Sequence, residues 1–121
     1  MKLLLIALLS LFVATASAGE ADVVDVKAKQ KNNGSYSFKV SVQHEDEGWD
    51  HYANRWEVLS EDGTIIATRV LHHPHVNEQP FTRSMSGIEI PEDLKFVLVR
   101  AHDSQHEYGG KVFKVELLKD N

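Results

Sequence analysis

Apolar and polar side chains alternate one by one along several stretches of this chain. The clearest alternation runs from Tyr36 to Val42, where aromatic residues and valines take every second position and Ser or Lys fill the positions between them. Residues 24–28 show the same period. A period of two is typical of a β-strand with one buried face. Because no helical period follows residue 18, we predict an all-β domain.

Turn signals separate about seven such strands. Residues 32–34 (Asn-Asn-Gly) and 61–63 (Glu-Asp-Gly) are typical of hairpin turns, and residues 91–93 begin with a proline that turns the chain. A bulge or bend is expected at residues 86–87 (Ser-Gly), inside the fifth strand. The predicted strands are residues 24–28, 36–42, 52–59, 64–71, 81–90, 96–101 and 112–118.

Short strands joined by turns favour an antiparallel β-sandwich, immunoglobulin-like or fibronectin-like. In the third strand, Tyr52, Asn54, Trp56 and Val58 are predicted to share one face. Trp56 then resembles the core tryptophan of immunoglobulin-like domains, without their disulfide. The alternative architecture is a small β-barrel.

The first eighteen residues have the composition of a secretory signal peptide. Lys2 supplies a positive start, residues 3–13 an apolar run, and residues 14–18 a small-residue cleavage site. We expect cleavage after Ala18, which leaves residues 19–121 as a single periplasmic or secreted domain. The alternative, an uncleaved anchor, is disfavoured because no charged stop-transfer pattern follows.

The expected mature domain is acidic and contains no cysteine. The 13 basic side chains of the full sequence include Lys2, so the mature chain keeps 12 against 18 acidic ones, a net charge of −6 with neutral histidines. We therefore expect no binding to nucleic acid and, after cleavage of the signal, none to membranes. Without thiolates, any bound metal must take nitrogen, oxygen or thioether ligands.

Antiparallel strands place successive loops at alternate ends of a sandwich. By this rule the turns listed above share one end, and the loops at residues 44–51, 72–80 and 102–110 share the other. Loops at one end of a sandwich commonly form its binding surface. All seven histidines fall in the second set of loops: His44, His51, His72, His73, His75, His102 and His106.

The middle loop concentrates three histidines beside two prolines. Pro74 and Pro80 restrict the backbone, so the imidazoles are presented in one loop shape. With nitrogen and oxygen donors only, we predict a divalent copper or zinc site made by the seven histidines. The alternative is that the histidines are solvated, and that the loops form a pH-sensitive surface that recognises a protein or a small ligand without metal.

Carboxylates surround these histidines and could ligate an ion or hold the ring N–H groups. They would also raise histidine pKa values, so that metal and protons compete for one site. Asp50, Glu78 and Asp103 are the supporting carboxylates that we single out. The full set in the loops is Glu45, Asp46, Glu47, Asp50, Glu78, Asp103 and Glu107.

Three other side chains are candidates for ligand contact. Trp49 either caps the site or folds back over the edge of the sandwich as an anchor. Arg83 shares a strand face with Phe81, which either lets it reach a carboxylate such as Glu57 or reflects a shift in register. Tyr108 lies beside the last pair of histidines.

Catalysis is not expected. Ser84, Ser86 and Ser104 lie near histidines and aspartates in the sequence, but no nucleophile elbow surrounds them. A domain of this size has little room for the water-excluding pocket that a metal hydrolase needs. We therefore expect a binding domain whose partner is a divalent metal or a periplasmic protein.

Two segments resemble a group of small exported bacterial proteins that have a signal peptide and one all-β domain. The segments are residues 72–84 (HHPHVNEQPFTRS) and 101–110 (AHDSQHEYGG), and the likeness extends over most of the mature chain. The resemblance implies an exported protein and supplies no activity or catalytic residue. Where the group has glycine before the tyrosine, this chain has Glu107, which implies a less flexible loop here.

Overall fold

The structure is a computed structural model that describes residues 19–117. The predicted signal peptide and Leu118, the predicted end of the last strand, lie outside the described residues. Seven strands are present: β1 (Asp22–Gln30), β2 (Tyr36–Gln43), β3 (Ala53–Leu59), β4 (Ile65–Val70), β5 (Phe81–Ile88), β6 (Phe96–Asp103) and β7 (Phe113–Glu116). The described residues include no helix that could span a membrane.

The strands form two antiparallel sheets. One sheet has the order β1-β2-β5, and the other has the order β4-β3-β6-β7. The second strand therefore pairs with the fifth and the third with the sixth, as in immunoglobulin-like domains. This arrangement confirms the predicted β-sandwich, and two separate sheets replace the closed barrel of the alternative.

The core lies between the sheets, and Trp56 is at its centre. Trp56 and Val58 of β3 are fully buried, as predicted. The predicted face of β3 is wrong at its start, because a bulge between Ala53 and Arg55 shifts the register. Ala53 thus joins the core, and the side chain of Asn54 hydrogen-bonds to His102 instead.

A second bulge confirms the expected irregularity in β5. Opposite residues 36–38, the pairing moves from Ile88 to Met85, so two residues of β5 are unpaired in the ladder. Gly87 has φ 73°, a left-handed conformation that costs glycine little. The bulge changes which side chains of β5 face the core.

The loops converge at one end of the sandwich as the alternation of strands predicts. Hydrogen bonds join these loops directly: the His44 N–H donates to the Gln79 side chain (2.9 Å), and the Ser104 N–H donates to the Tyr52 carbonyl (3.0 Å). β1 also starts at this end, where the Val23 N–H donates to the Lys111 carbonyl (3.0 Å). We call this end, formed by residues 19–21, 44–52, 71–80 and 102–112, the histidine pole.

Candidate metal centre

Three buried side chains meet inside the histidine pole. His44 follows the end of β2, His51 precedes β3, and Asp103 ends β6. Their exposed fractions are only 2%, 6% and 0%. One candidate ligand atom from each lies within 4.8 Å of the other two. We call these residues the triad.

The distances within the triad suit a metal ion. His51 Nε2 lies 2.9 Å from Asp103 Oδ2, and His44 Nε2 lies 3.8 Å from the same oxygen. A tetrahedral ion with bonds of about 2.1 Å holds its ligand atoms about 3.4 Å apart. The observed separations lie on either side of this value, so small movements of the rings would bring all three atoms into bonding range.

The carbonyl oxygen of Gly19 is a fourth group directed at the same point. It lies 3.0 Å from His44 Nε2 and 3.2 Å from His51 Nε2. Sequence reasoning overlooked this residue because it considered only loops between strands. The rule of alternate ends could have found it, since the start of β1 must lie at the same end as residues 44–51.

The other ring nitrogens of the two histidines contact carboxylates. His44 Nδ1 lies 2.5 Å from Asp46 Oδ1, and His51 Nδ1 lies 2.5 Å from Glu47 Oε1. Metal-bound histidines commonly donate their second ring N–H to a carboxylate, which orients the ring and makes the free nitrogen more basic. Both histidines of the triad therefore have the partner expected of a metal ligand.

Asp46 is itself held rigidly by the backbone around it. The Ala53 N–H donates to Asp46 Oδ1 (3.0 Å), and the His75 N–H donates to Oδ2 (2.6 Å). Burial raises the pKa of Asp46, but the hydrogen bonds from His44, His75 and Ala53 outweigh burial and leave the pKa lowered. Asp46 therefore stays ionised and fixes the ring of His44.

In the absence of metal, this geometry requires both rings to be protonated. A carboxylate and a carbonyl can only accept hydrogen bonds, so both nitrogens of His44 must carry hydrogen, and the same holds for His51 between Glu47, Asp103 and Gly19. Burial lowers the pKa of His44, but the hydrogen bond to Asp46 and other contacts raise it overall. The hydrogen bond to Glu47 is the main cause of the raised pKa of His51.

Asp103 is a fully buried carboxylate with one oxygen unsatisfied. Its Oδ2 accepts hydrogen bonds from the backbone N–H groups of Gln105 (3.2 Å) and His106 (3.0 Å). Its Oδ1 has no hydrogen-bond partner among the described residues. Burial raises the pKa of Asp103, but the contacts with His106, Gln105 and His44 lower it overall. A buried, ionised and partly unpaired carboxylate is costly unless a cation lies nearby.

His106 lies at the exposed side of the centre. Its Nδ1 is 3.1 Å from Asp103 Oδ2, and its ring centroid is 4.9 Å from that of His51. The side chain is 45% exposed, whereas that of Asp103 is fully buried. An ion would therefore reach the triad past His106, which can also contribute a ligand.

The loop of residues 72–80, which contains Pro74 and Pro80 and is here called the proline-bounded loop, places its histidines beside the triad and outside it. The ring of His75 stacks on Phe81 with centroids 4.0 Å apart, and its Nε2 accepts a hydrogen bond from Arg83 (2.8 Å). Burial, Arg83 and His73 lower the pKa of His75. His72 and His73 are exposed. This loop supports the centre through the His75 N–H bond to Asp46.

His102 also points away from the triad. Its Nδ1 contacts the side-chain oxygen of Asn54 (2.6 Å), and its ring meets Tyr108 edge-on with centroids 4.9 Å apart. Burial and the nearby charge of Arg55 lower its pKa. His102 therefore packs as a neutral ring on the four-stranded sheet.

A buried ion network on that sheet holds the last loop in place. Glu57 accepts hydrogen bonds from Arg55, Arg100 and the Tyr108 hydroxyl at 2.8, 2.8 and 2.9 Å. The Arg100 guanidinium also lies 3.8 Å from the centre of the Tyr108 ring. Sequence reasoning missed this network. The expected link from Arg83 to Glu57 is wrong, because the Glu57 carboxylate accepts its hydrogen bonds from Arg55 and Arg100 instead.

Arg83 instead contacts the proline-bounded loop. Its guanidinium lies 2.8 Å from His75 Nε2 and 3.4 Å from Glu78 Oε1. Of the two explanations offered by the sequence, the first holds for the strand face: Arg83 faces inward with Phe81 while Thr82 and Ser84 are exposed. The β5 bulge lies beyond Arg83, at residues 86–87, and leaves its register unchanged. Glu78 thus forms an ion pair with Arg83, and among the described residues it makes no contact with the triad.

Replacing Tyr108 by Phe tests how firmly the last loop is held. The change removes hydrogen bonds to Arg55 (2.8 Å) and Glu57 (2.9 Å) and keeps the ring under Arg100. We expect a loss of about 1–2 kcal/mol in the free energy of unfolding, measured by urea titration. Tyr52→Phe is the matched control, since the Tyr52 hydroxyl makes no hydrogen bond among the described residues 19–117. Equal stabilities would contradict the role of the network.

Trp49 and Asp50 lie on the outside of the histidine pole. Trp49 is 67% exposed and meets Tyr52 edge-on, with ring centroids 5.6 Å apart. The anchor interpretation of Trp49 is therefore wrong, because the ring is not folded into the sandwich edge. Asp50 is exposed, and its backbone carbonyl accepts a hydrogen bond from Gln105 (2.7 Å).

The departure at residue 107 has a structural counterpart. Glu107 has φ 61°, a left-handed conformation that glycine adopts without the penalty of a side chain. Its N–H and carbonyl pair with Asp103 at 3.1 and 3.0 Å. The tight turn at Asp103–Glu107 thus directs the Asp103 carboxylate toward His44 and His51.

Fold and site together define a small antiparallel β-sandwich with a buried His–His–Asp triad at one pole. The chain is similar to a protein of Halomicrobium mukohataei described as a "Putative lipoprotein", with 41% identity over 97 residues. The alignment covers 80% of this chain and 47% of the relative, so the chain spans about half the length of that protein. No family model and no solved structure matches the chain.

Proposed function

We propose that this chain is an exported protein that binds one divalent transition metal ion, copper or zinc, through His44, His51 and Asp103. The observation that carries the proposal is the convergence of candidate ligand atoms on one buried point. Two imidazole nitrogens that face acceptors, a carboxylate oxygen and the Gly19 carbonyl oxygen surround one buried point. Such a group requires positive charge, which either two protons or one divalent cation supplies.

The donor atoms favour copper or zinc among common metals. Imidazole nitrogen suits both ions, and divalent copper binds such sites most tightly of the first-row series. Two histidines and one carboxylate also occur in non-haem iron(II) sites, so iron belongs in the test. Magnesium and calcium prefer sites made only of oxygen and are not expected to bind here.

The proposed role is sequestration or delivery and not turnover. The triad side chains are almost completely buried, and His106 covers their exposed side. A catalytic zinc keeps an open position for substrate, whereas the triad and the Gly19 carbonyl oxygen together offer the four ligand atoms of a closed site. A half-exposed histidine at the rim suits an ion that enters and leaves.

Export is supported by the signal-like first eighteen residues and by the similarity to a protein described as a lipoprotein. We therefore propose a periplasmic or secreted location. A zinc or copper site built without thiolates also suits an oxidising compartment, where cysteines are readily oxidised.

Metal titration of residues 19–121 tests the proposal. Calorimetry with zinc should show one ion bound per chain, and saturation should raise the thermal unfolding temperature. Copper should bind in competition with zinc, and calcium should have no effect. The matched control is His72→Gln/His73→Gln, which removes two exposed histidines and should leave the stoichiometry and affinity unchanged. A chain that binds no transition metal above background would refute the proposal.

The second candidate is a recognition surface without metal, and the exposure of Trp49 favours it. A 67% exposed tryptophan on an aromatic neighbour is typical of a side chain that contacts a partner. In that case His44 and His51 would lose their protons as pH rises, and this change in charge without any metal would make the surface sensitive to pH. A Trp49→Ala variant that binds zinc normally but loses a protein partner recovered by cross-linking in the exporting cell would support this second function.

A further inference from the structure

The first residue of the expected mature chain is part of the metal centre. Cleavage after Ala18 would make Gly19 the N-terminus. Gly19 is buried, and its carbonyl oxygen already contacts both histidines of the triad at 3.0 and 3.2 Å. The terminus created by processing would therefore lie among the ligands.

We propose that processing supplies a further metal ligand, the free α-amino group of Gly19, which binds the ion together with the Gly19 carbonyl oxygen. The inference rests on the proposed metal binding and specifies the ligand set. The amine and the carbonyl oxygen of one residue are joined through N–Cα, Cα–C and C=O bonds, so with a metal they close a five-membered ring. Nitrogen and oxygen donors of this kind suit divalent copper and zinc.

The packing around Gly19 fits this role. A Cβ atom on residue 19 would lie 2.5 Å from Cε1 of the His106 ring, so only glycine fits without a shift of that ring. The backbone of residue 19 therefore packs directly against the His106 ring and leaves no room for a side chain at this position. The same closeness brings the terminus within reach of an ion bound to the triad.

The start of the chain is also held in position, as a ligand must be. The Lys111 N–H donates to the Asp22 side chain (2.7 Å), and the Val23 N–H donates to the Lys111 carbonyl (3.0 Å). A Cβ on Gly110 would lie 1.9 Å from the Ala21 carbonyl oxygen, so the last loop packs directly on the backbone of the first residues. These contacts order the segment before any metal arrives, which lowers the entropy cost of binding.

A consequence is that the full site exists only after processing. In the precursor the nitrogen of Gly19 is an amide, which is a hydrogen-bond donor and a poor ligand at neutral pH. The precursor then offers the triad and the carbonyl oxygen alone. Tight binding would develop on the side of the membrane where the signal peptide is removed.

Two proteins test the inference: residues 19–121 with a free Gly19, and the same chain with one serine added before Gly19. Intact mass of the protein exported by cells should first show Gly19 as the N-terminus. Zinc should bind the free form at least about tenfold more tightly than the extended form, because the extended form lacks one metal ligand and keeps the Gly19 carbonyl oxygen. Bound zinc should also protect the Gly19 amine from an acylating reagent, measured by peptide mass spectrometry, while Lys39 reacts at an unchanged rate.

The outcomes separate this inference from the proposed function. Equal zinc affinity of the two forms, with no protection of the amine, would overturn the role of Gly19 and leave the triad as the site. Failure of both forms to bind zinc would overturn the metal function as well. A mature terminus at another residue would also overturn the inference. Gly19→Ala gives a second measurement, since the added methyl group should weaken binding through the His106 ring while the fold remains intact by circular dichroism.

Discussion

Asp103→Asn is expected to reduce zinc affinity by about 100- to 1,000-fold. The substitution keeps the shape of the side chain and removes the negative charge that lies 2.9 Å from His51 Nε2 and 3.8 Å from His44 Nε2. Structural zinc sites with four ligands bind with about 10–16 kcal/mol, so one ligand contributes about 2.5–4 kcal/mol, or about two to three powers of ten in affinity. Calorimetry with a competing chelator measures a change of this size.

Asp50→Asn is the matched control for this variant. Asp50 lies in the same pole, is exposed, and carries the same charge. The control should bind zinc as the unmodified chain does, because a solvated charge is screened by water and salt. Urea unfolding of both variants without metal shows whether each is folded. If folded Asp103→Asn retained full affinity, Asp103 would not be a ligand and the triad would be wrong.

The affinity for zinc is expected to rise steeply with pH, by about 100-fold per unit while both triad histidines are protonated. Each imidazolium must release its Nε2 proton before that nitrogen can bind the metal. The raised pKa values of His44 and His51 extend this competition above the ordinary histidine range. Asp103, whose pKa is lowered, stays ionised throughout and adds no further dependence.

The sign of the effect on stability is opposite with and without metal. A histidine whose pKa is raised by folding stabilises the metal-free protein below its unfolded pKa, and this contribution is lost as pH rises through the folded pKa. The stabilisation that His44 and His51 give the metal-free protein should therefore decline from about pH 6 upward, whereas the increment due to zinc should grow. Thermal scans with and without zinc across this range measure both trends.

The control for the pH series is again His72→Gln/His73→Gln, whose affinity should follow the same slope. In His51→Gln the slope should fall to about one proton, or tenfold per unit, because one competing imidazole is absent. A zinc affinity independent of pH in the unmodified chain would contradict the assignment of imidazole ligands. Slope and magnitude are thus separate tests of the same centre.

Much of the scaffold could be predicted because its causes are local. Alternation in residues 36–42, the Asp-Gly turn at 62–63 and the Ser-Gly bulge at 86–87 each act over a few neighbouring residues. The start of the β3 face could not be predicted, because packing against β6 produces the bulge after Ala53. Such a bulge reverses the side chains on one side of it relative to those on the other, and the residue types at Ala53 and Asn54 do not indicate it.

The sequence predicted which end of the sandwich holds the candidate site, but not which individual residues form it. All seven histidines could be assigned to one set of loops by counting strands, but only His44, His51 and His106 gather around Asp103. His75 stacks on Phe81, and His102 pairs with Asn54. Which ring turns inward depends on loop paths of a few ångström, which residue identity does not specify.

The sequence alone determined the strands, their turns, the acidic charge and the gathering of histidines toward one end, because alternation, turn chemistry and chain direction are properties of neighbouring residues. Only the tertiary structure decided that Asp103 shares a buried point with His44 and His51, that Asp46 and Glu47 orient the two rings, and that the Gly19 carbonyl completes the group. These contacts join residues far apart in the chain. Because they bury an ionised carboxylate with two imidazole rings, the site needs positive charge, which two protons or a metal ion would supply.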